Sequence, residues 1–314
     1  MKFIQIIREI FNRNLPISNR STNSYVNQKN GGIQTIIQQN DLNVSKEEIV
    51  GIGEKKYSIC SDDNYLEHIK NGFEPETVDL FKVLASNSNI ALDVGANIGC
   101  TALLLGGLSK ITYAFEPSPT TYSFLARNIS KSGLNNIIPL NIGLGDEKGE
   151  FPLAFSPSDR SGGFVSNQTR ASSEHTVEKI AIYQLDEITK SLNLQNVDFI
   201  KIDVEGFEEH VLRGATQTLN KFQPVVVLEL NHWCLNAFQK TSVPDFFDFL
   251  RSLFPSILLA VDGRNYQDLH DPDESYVVMY YHILNMKFTT IVAAFDENRL
   301  TKFRTEYYHQ FINE

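Results

Sequence analysis

The sequence predicts an α/β protein built on a mostly parallel sheet with helices on both faces. From about residue 89, short strands that are apolar on both faces alternate with segments of helical period, as in a sheet covered on both sides. The first of these strands runs into a glycine-rich turn that opens a helix, which is typical of a nucleotide-binding βαβ unit. The carboxyl ends of such strands meet at one edge of the sheet, so the ligand crevice is expected there.

Composition limits the classes of function. Of 314 residues, 42% are hydrophobic and 21% are charged, so the chain can form a core. The net charge of −10 disfavours a nucleic-acid substrate, because an acidic surface repels phosphate. Cys60, Cys100 and Cys234 form no C-x-x-C pair, so no disulfide framework and no structural zinc site are predicted, and no metal ligands are assigned. No apolar run reaches the ~20 residues that cross a bilayer, so a cytoplasmic location is expected.

Three regions are expected along the chain. Residues 1–47 combine an N-terminal helix, with apolar residues at helical spacing, and a polar arm rich in Ser, Asn, Gln and Gly. That helix is interpreted as packing on its own domain or on a partner subunit, with a weak peripheral membrane contact as the alternative. Residues 48–88 are expected to lead into the core and pack on it, and residues 89–314 to hold the ligand-binding domain.

The elements of this domain are predicted in chain order. Core strands are expected in NIALDVG, KITYAFEP, NNIIPLNIGLGD, NVDFIKIDVEG, QPVVVLELNHW and SILLAVDG, with added strands in GEFPLAFSP and TVEKIAIYQL. Helices are expected in CTALLLGGLS, PTTYSFLARNISKSG, FEEHVLRGATQTLNKF and VPDFFDFLRSLF. Gly133 is a stop signal for the second of these helices.

The glycine turn indicates the class of cofactor. It runs Asp93-Val-Gly95-Ala96-Asn97-Ile-Gly99, and Glu116 ends the next strand. A carboxylate there can accept hydrogen bonds from both ribose hydroxyls. A dinucleotide fingerprint has a central glycine where the backbone approaches a pyrophosphate, but that position is Asn97 here. The turn therefore favours a nucleoside cofactor without phosphates, such as S-adenosylmethionine, over a nicotinamide dinucleotide. An ordinary strand-to-helix turn is the alternative.

Three strings carry a resemblance to a known family. EPETVDLFKVLASNSNIALDVGANIG, AFEPSP and DFIKIDVEGFEEHVLRGA resemble the FkbM-type S-adenosylmethionine-dependent methyltransferases, over residues 74 to about 233. The resemblance implies a Rossmann-like class I methyltransferase fold with a seven-stranded sheet in residues 89–314, carrying acceptor-side elements at its C-terminal end. It also implies S-adenosyl-L-methionine as cofactor and O-methylation of a hydroxyl on a sugar, glycan or secondary metabolite.

Matched position by position, the resemblance implies cofactor-binding roles. The family's cofactor turn is matched by Asp93, Gly95, Asn97 and Gly99, with Ala96 inside the turn. Glu116 matches the family's ribose carboxylate. The fourth-strand signature is matched by Asp203, Glu205 and Gly206. The segment Asn141-Ile142-Gly143, which closes the third strand, is expected near the adenine.

Candidates for catalysis lie at the ends of the fourth and fifth core strands. Asp203 is expected to orient or deprotonate the acceptor hydroxyl, or to hold a cation, with capping of the following helix as the alternative. Lys201 and Glu229 place charge within buried strands, so Lys201 is expected to pair with a strand-end carboxylate. His232 follows the fifth strand and is a candidate general base, or else a plain polar residue.

The remaining clusters are assigned less specific roles. His210 is expected to be structural within a helix, and HDPDES is interpreted as a solvated acidic loop. Trp233 and the aromatics of ESYVVMYYHIL are expected in an acceptor pocket or in the core. Two rival functions remain, a nicotinamide-dependent oxidoreductase and a non-catalytic partner protein acting through the N-terminal helix. A small-molecule or glycan acceptor and no nucleic acid are expected, and the sequence leaves open the acceptor's identity, a homo-oligomer and a metal.

Overall fold

Three β-sheets, one of them the two-stranded pair of the first strands, and their flanking helices were identified in a computed structural model, which describes residues 45–165 and 175–307. The predicted N-terminal helix lies outside these residues. The strands are β1 (Lys46–Ile52), β2 (Lys55–Ser61), β3 (Ser88–Val94), β4 (Ser109–Phe115), β5 (Ile137–Leu140), β6 (Gly143–Leu144), β7 (Gly149–Ser156), β8 (Asp159–Val165), β9 (Thr176–Tyr183), β10 (Phe199–Ile202), β11 (Val225–Glu229), β12 (Ile257–Asp262), β13 (Asn265–Asp268) and β14 (Thr290–Ala294).

The α-helices lie mainly between the strands of the larger sheet. They are α1 (Tyr65–Ile69), α2 (Pro75–Leu84), α3 (Cys100–Leu108), α4 (Pro119–Ser132), α5 (Leu185–Ser191), α6 (Glu208–Arg213), α7 (Thr216–Phe222), α8 (Val243–Leu253) and α9 (Pro272–Asn285). Single helical turns occur at His232–Cys234, Leu235–Gln239, Glu297–Leu300 and Phe303–Tyr307. Among the helices that the structure describes, none is long and apolar enough to cross a membrane.

The larger sheet has eight strands in the order β13-β12-β14-β11-β10-β3-β4-β5. From β11 to β5 all neighbours are parallel, whereas β14 runs antiparallel to both β11 and β12. The predicted Rossmann-like α/β class is confirmed, but the sheet has one strand more than the seven expected. The additional strand is β13, which forms an edge hairpin with β12. Neither β13 nor β14 was predicted individually from the sequence.

Both faces of this sheet are covered. On one face, Phe199 and Val225 share a core with Phe81 of α2 and Leu103 of α3, and Val50 of β1 belongs to the same core. The lead-in segment therefore packs on the sheet. Side chains alternate between the two faces along each strand, so buried Ile200, next to Phe199, points to the other face. Right-handed crossovers place α6 to α8 on that face.

A four-stranded sheet of order β6-β9-β7-β8 adjoins the crevice. Strands β7 and β9 were predicted, but β8 was not, because its sequence DRSGGFV is polar and rich in glycine. Arg160 of β8 is buried and forms ion pairs with Asp62 and Asp63, which follow β2. These pairs fix the added sheet to the lead-in segment.

The prediction of one continuous helix in FEEHVLRGATQTLNKF is wrong in one respect, because the structure divides this segment into α6 and α7. The carboxylate of Asp186 accepts hydrogen bonds from the backbone N–H groups of Gln217 and Thr218 and so caps a new helix start. At the break, a Cβ on Gly214 would lie 2.0 Å from the carbonyl oxygen of Gly145. Close backbone contact therefore interrupts the helix at this point.

Candidate active site

A crevice opens at the carboxyl ends of β3, β10 and β11, where chain order reverses between β3 and β10. Its main cavity has a volume of about 420 Å³ and is lined by the glycine turn, Lys201, Asp203, Glu205 and Glu229. A second cavity of about 80 Å³ lies beside Glu116 and the added sheet, and Gly95, Asn97 and Asp203 line both. Most of the sequence-predicted site residues thus line two adjacent cavities.

The glycine turn is held by backbone contacts on two sides. The N–H groups of Gly95 and Ala96 donate to the carbonyl oxygen of Phe115 at the end of β4. Gly95 has a φ of 77°, and a Cβ there would lie 1.9 Å from the carbonyl oxygen of Asp203. Asn97 has a φ of 48°, a left-handed conformation that asparagine tolerates. The turn therefore needs glycine at position 95, where the ends of β3 and β10 approach each other closely.

Glu116 closes the opposite side of the turn. Its carboxylate accepts hydrogen bonds from the backbone N–H groups of Asn97, at 3.0 Å, and Ser118, at 2.9 Å. Burial raises the pKa of Glu116 to about 7, and these two hydrogen bonds oppose that rise. The side chain lines the smaller cavity, so its remaining acceptor positions are available to a ligand there.

Asn141 and Ile142 lie next to this site but do not line either cavity, as far as the described chain shows. The Asn141 side chain donates to the carbonyl oxygens of Glu116 and Pro117, and Ile142 is buried. Gly143 and Leu144 line the smaller cavity instead. Asn141 therefore shapes the loop after β4 from outside the cavity.

Lys201 connects the two halves of the site. Its ammonium group lies 3.4 Å from carboxylate oxygens of both Asp93 and Asp203 and donates to the carbonyl oxygen of Gly95 at 2.8 Å. Burial opposes the charge of Lys201, but the charges of Asp203 and Asp93 outweigh it and raise the pKa of Lys201. Burial raises the pKa of Asp93, and the charge of Lys201 opposes this rise. The pairing expected for Lys201 is therefore confirmed, and it ties the glycine turn to β10.

Asp203, Glu205 and Glu229 form the acidic end of the cavity, with carboxylate oxygens within 4.8 Å of one another. Burial, followed by the charge of Asp203, raises the pKa of Glu205 to about 7. Burial and the charges of Asp203 and Glu205 raise the pKa of Glu229 far above its usual value. One Glu229 oxygen is buried without a hydrogen-bond partner among the described residues. These three carboxylates are also the described groups with the spacing to hold a metal ion.

Glu208 is a structural residue of the site that the sequence did not single out. It is fully buried, and one carboxylate oxygen accepts from the backbone N–H groups of Val204 and Gly206. Asp203 accepts no backbone hydrogen bond within the part of the chain that the structure describes, and its side chain is 46% exposed. The alternative in which Asp203 caps the following helix is therefore wrong, because no side chain of the described residues caps α6, and Glu208 binds the backbone donors of the turn before it.

The signature after β10 also has a strained backbone. Glu205 has a φ of 53° and Gly206 a φ of 93°. A Cβ on Gly206 would lie 2.7 Å from the carbonyl carbon of Cys234, so only glycine fits against this turn. The thiol of Cys234 donates to Glu205 at 3.1 Å. The strain and the close approach together aim the Glu205 carboxylate into the cavity.

The histidines lie outside both cavity linings, judged from the described residues. The ring of His232 contacts His282 of α9 and Trp233, and burial lowers its pKa. His210 stacks on Phe207 and contacts Asp146, in agreement with a structural role. The HDPDES string is largely a capping element, since Asp271 accepts from the first backbone N–H groups of α9.

The lead-in segment supplies a wall that sequence reasoning missed. Tyr65, Phe73, Glu74 and Thr77 line the main cavity opposite Asp203, and Ser161 of β8 lines both cavities. Thr77 donates to Glu74 at 2.8 Å. The four lining residues of the lead-in segment lie more than a hundred positions before β10 in the chain, so no local spacing indicated that they share a site with it.

Comparison with known proteins agrees with this geometry. Residues 93–267, more than half of the chain, match the model of the methyltransferase FkbM domain. The chain belongs to the FkbM methyltransferase family. The matched residues run from Asp93, at the start of the glycine turn, into β13, and they include both the glycine turn and the three carboxylates. The family resemblance expected from the sequence is confirmed.

Curated relatives match about half of the chain. The chain is 30% identical over 154 residues to the hexuronic acid methyltransferase AglP of Haloferax volcanii, covering 49% of this chain and 61% of that protein. It is 28% identical over 167 residues to methyltransferase 1 of Beauveria bassiana, covering 46% of this chain and 65% of that protein. The match therefore spans less than two thirds of the length of these relatives.

Solved structures give weaker similarities. A methyltransferase FkbM from Methylobacillus flagellatus KT has a TM-score of 0.39 at 21% identity, covering 55% of this chain and 40% of that one. A precorrin-6y C5,15-methyltransferase from Geobacter metallireducens has a TM-score of 0.39 at 14% identity, covering 68% of this chain and 86% of that one. At these TM-scores neither likeness carries an argument about function.

Proposed function

We propose that the protein is an S-adenosylmethionine-dependent methyltransferase that methylates a hydroxyl group of a sugar or glycan. The observation that carries the proposal is a crevice of two adjacent cavities with shared lining residues, with a ribose-type carboxylate, Glu116, at one end and the acidic group Asp203, Glu205 and Glu229 at the other. The name of the relative AglP, a hexuronic acid methyltransferase, supports a sugar as acceptor.

The residues present fit this cofactor better than a dinucleotide. The main cavity of about 420 Å³ lies within the range of roughly 300–1,000 Å³ for small-molecule sites. Lys201 and Arg160 are the cations among the described lining residues, and each is paired with two aspartates. No cation of the described lining is therefore left for a pyrophosphate, whereas a carboxylate-rich cavity suits a cationic ligand.

The chain's own residues would bind the cofactor, orient the acceptor hydroxyl and accept its proton. When bound, S-adenosylmethionine supplies a methyl group activated by its sulfonium. The glycine turn and Glu116 hold the nucleoside, and Lys201 keeps the carboxylate of Asp203 in place to orient the acceptor hydroxyl. Glu205, whose pKa is raised to about 7 by burial, is suited to accept the hydroxyl proton near neutral pH. Glu229 stays protonated and can donate a hydrogen bond to the acceptor.

The proposal is tested by product formation. The full chain is incubated with S-adenosylmethionine labelled in its methyl group and with a panel of hexuronic acids and uronic-acid glycans, and label in the sugar is measured by mass spectrometry. We expect label on a sugar oxygen. In Asp203→Asn, turnover should fall ~100-fold with less than a threefold change in cofactor affinity.

Equal losses of turnover and affinity in Asp203→Asn would give this residue a structural role only. Cofactor binding by the folded chain without transfer to any member of the panel would overturn the sugar acceptor and favour a non-catalytic role.

A further inference from the structure

The outer face of α9 is unusual for a helix on a protein surface. Large apolar side chains are exposed along its length: Tyr276, Val277, Tyr280, Tyr281, Ile283 and Leu284, followed by Met286. Ser275, Val278 and His282 form the opposite, buried face. Residues 275–286 include no Asp, Glu, Lys or Arg. A helix that is apolar on both faces is normally buried on both.

Trp233 extends this face toward the crevice. Its side chain is 68% exposed, and its ring lies beside that of His232, whose backbone N–H donates to His282 of α9. The sequence led us to expect Trp233 and the aromatics of α9 in the core or in an acceptor pocket. That expectation is wrong, since these side chains face outward and none lines the described cavities.

The size of this surface, here called the α9 face, exceeds what a monomer usually leaves exposed. With roughly 150–250 Å² for a whole aromatic side chain and less for an aliphatic one, the exposed fractions of these side chains and of Trp233 amount to about 700 Å². The largest apolar patch of a typical monomer is about 300–600 Å². A stable interface of standard size buries about 800 Å² per partner. The α9 face is therefore close to the area that one side of a dimer requires.

Charges at the two ends of the α9 face complement each other. Asp273 lies in the first turn of α9, and Lys287 lies just beyond its last turn. Each is seven positions from Tyr280. When two copies of the helix pack antiparallel with Tyr280 at the two-fold axis, Asp273 of one copy faces Lys287 of the other. The two helix dipoles also oppose each other in this arrangement, which is favourable.

We propose that the protein is a homodimer in which the α9 faces of two copies pack against each other in antiparallel orientation. Tyr280 lies at the two-fold axis, and the Asp273–Lys287 pairs close the two ends. The absence of charge within the face lets two chains of net charge −10 meet without local repulsion.

The test is the mass of the full chain by sedimentation equilibrium over a range of concentrations. We expect twice 35.6 kDa. Ile283→Glu places a charge within the α9 face and should raise the dissociation constant by about 30-fold or more, as for an interface hot spot. The matched control is Ile49→Glu, because Ile49 of β1 is also exposed but lies on another element, and it should leave the mass unchanged.

Charge reversal tests the orientation of the two helices. Lys287→Glu should weaken the dimer several-fold, and adding Asp273→Lys in the same chain should restore it. A chain that stays at 35.6 kDa throughout would overturn the proposal, as would a dimer insensitive to Ile283→Glu. Binding of a monomer to phosphatidylcholine vesicles that Ile283→Glu abolishes would identify the α9 face as a membrane contact instead. Circular dichroism melting of each variant checks that it is folded.

Discussion

The two ends of the crevice hold their carboxylates in different ways. Glu116, at the glycine-turn end, is buried but receives two backbone hydrogen bonds from residues that other backbone contacts fix in place. At the acidic end, three carboxylates lie within 4.8 Å of one another, and one oxygen of Glu229 has no partner within the described chain. The first end is suited to hold one ligand in one position. The second end is suited to exchange protons and hydrogen bonds with a ligand group, because its carboxylates are close together and one oxygen has no partner in the described part of the chain.

The close approach between the two ends gives the largest expected effect. Gly95→Ala should destabilise the protein by at least about 4 kcal/mol, because its Cβ would meet the Asp203 carbonyl oxygen at a φ that favours glycine. Gly107→Ala, in α3 with nothing within 4 Å of the new Cβ, is the control and should stabilise by about 0.5–1 kcal/mol. Chemical denaturation measures both. A tolerated Gly95→Ala would mean that the two ends are not locked together.

Lys201 gives the next largest effect. Lys201→Met removes the charge between Asp93 and Asp203 and should destabilise by about 3 kcal/mol, since it leaves a buried carboxylate uncompensated. Lys179→Met removes the exposed pair with Glu150 and should cost less than about 1 kcal/mol. Chemical denaturation of both variants at several pH values measures the loss of unfolding free energy in each. A loss of stability as small as that in Lys179→Met would show that the ion pairs of Lys201 do not stabilise the crevice.

The raised carboxylate pKa values predict how stability depends on pH. Glu116, Glu205 and Glu208 have pKa values raised to about 7 by burial, so the folded chain keeps protons that the unfolded chain releases near pH 4.5. The free energy of unfolding should therefore fall as pH rises from about 4.5 to about 7, by about 2–3 kcal/mol for each of these three groups. Glu205→Gln should make this decline shallower. A constant free energy across this range would contradict the burial of these acids.

The smallest expected effect concerns the charge of the ligand. As Glu205 ionises through its pKa of about 7, affinity for cationic S-adenosylmethionine should rise relative to that for neutral S-adenosylhomocysteine, by up to about tenfold between pH 6 and pH 8. The ratio of the two dissociation constants, measured by calorimetry, removes effects common to both ligands. In Glu205→Gln the ratio should vary less with pH. An unchanged slope would assign the charge effect to another residue.

The contrast between the two ends also explains what the sequence could predict. The glycine turn, Glu116 and the strand before them are local features, and their spacing reflects one βαβ unit. Pairing of Lys201 was predictable, because a charge within an apolar strand requires a partner. The roles of Glu208 and of the wall around Tyr65 were not, since both depend on contacts made only in the folded chain. Strand β8 was missed because burial of Arg160 against Asp62 and Asp63, rather than apolar alternation, places it.

The central claim, a nucleoside cofactor held between Glu116 and the acidic end, is tested most directly by calorimetric titration of the full chain with S-adenosylmethionine. We expect saturable binding that Glu116→Ala weakens at least ~10-fold, while Glu54→Ala, at an exposed glutamate of the β1–β2 turn, leaves it unchanged. Parallel titration with a nicotinamide dinucleotide should give no heat. Absence of heat with S-adenosylmethionine from a folded sample, or binding of the dinucleotide in its place, would contradict the account.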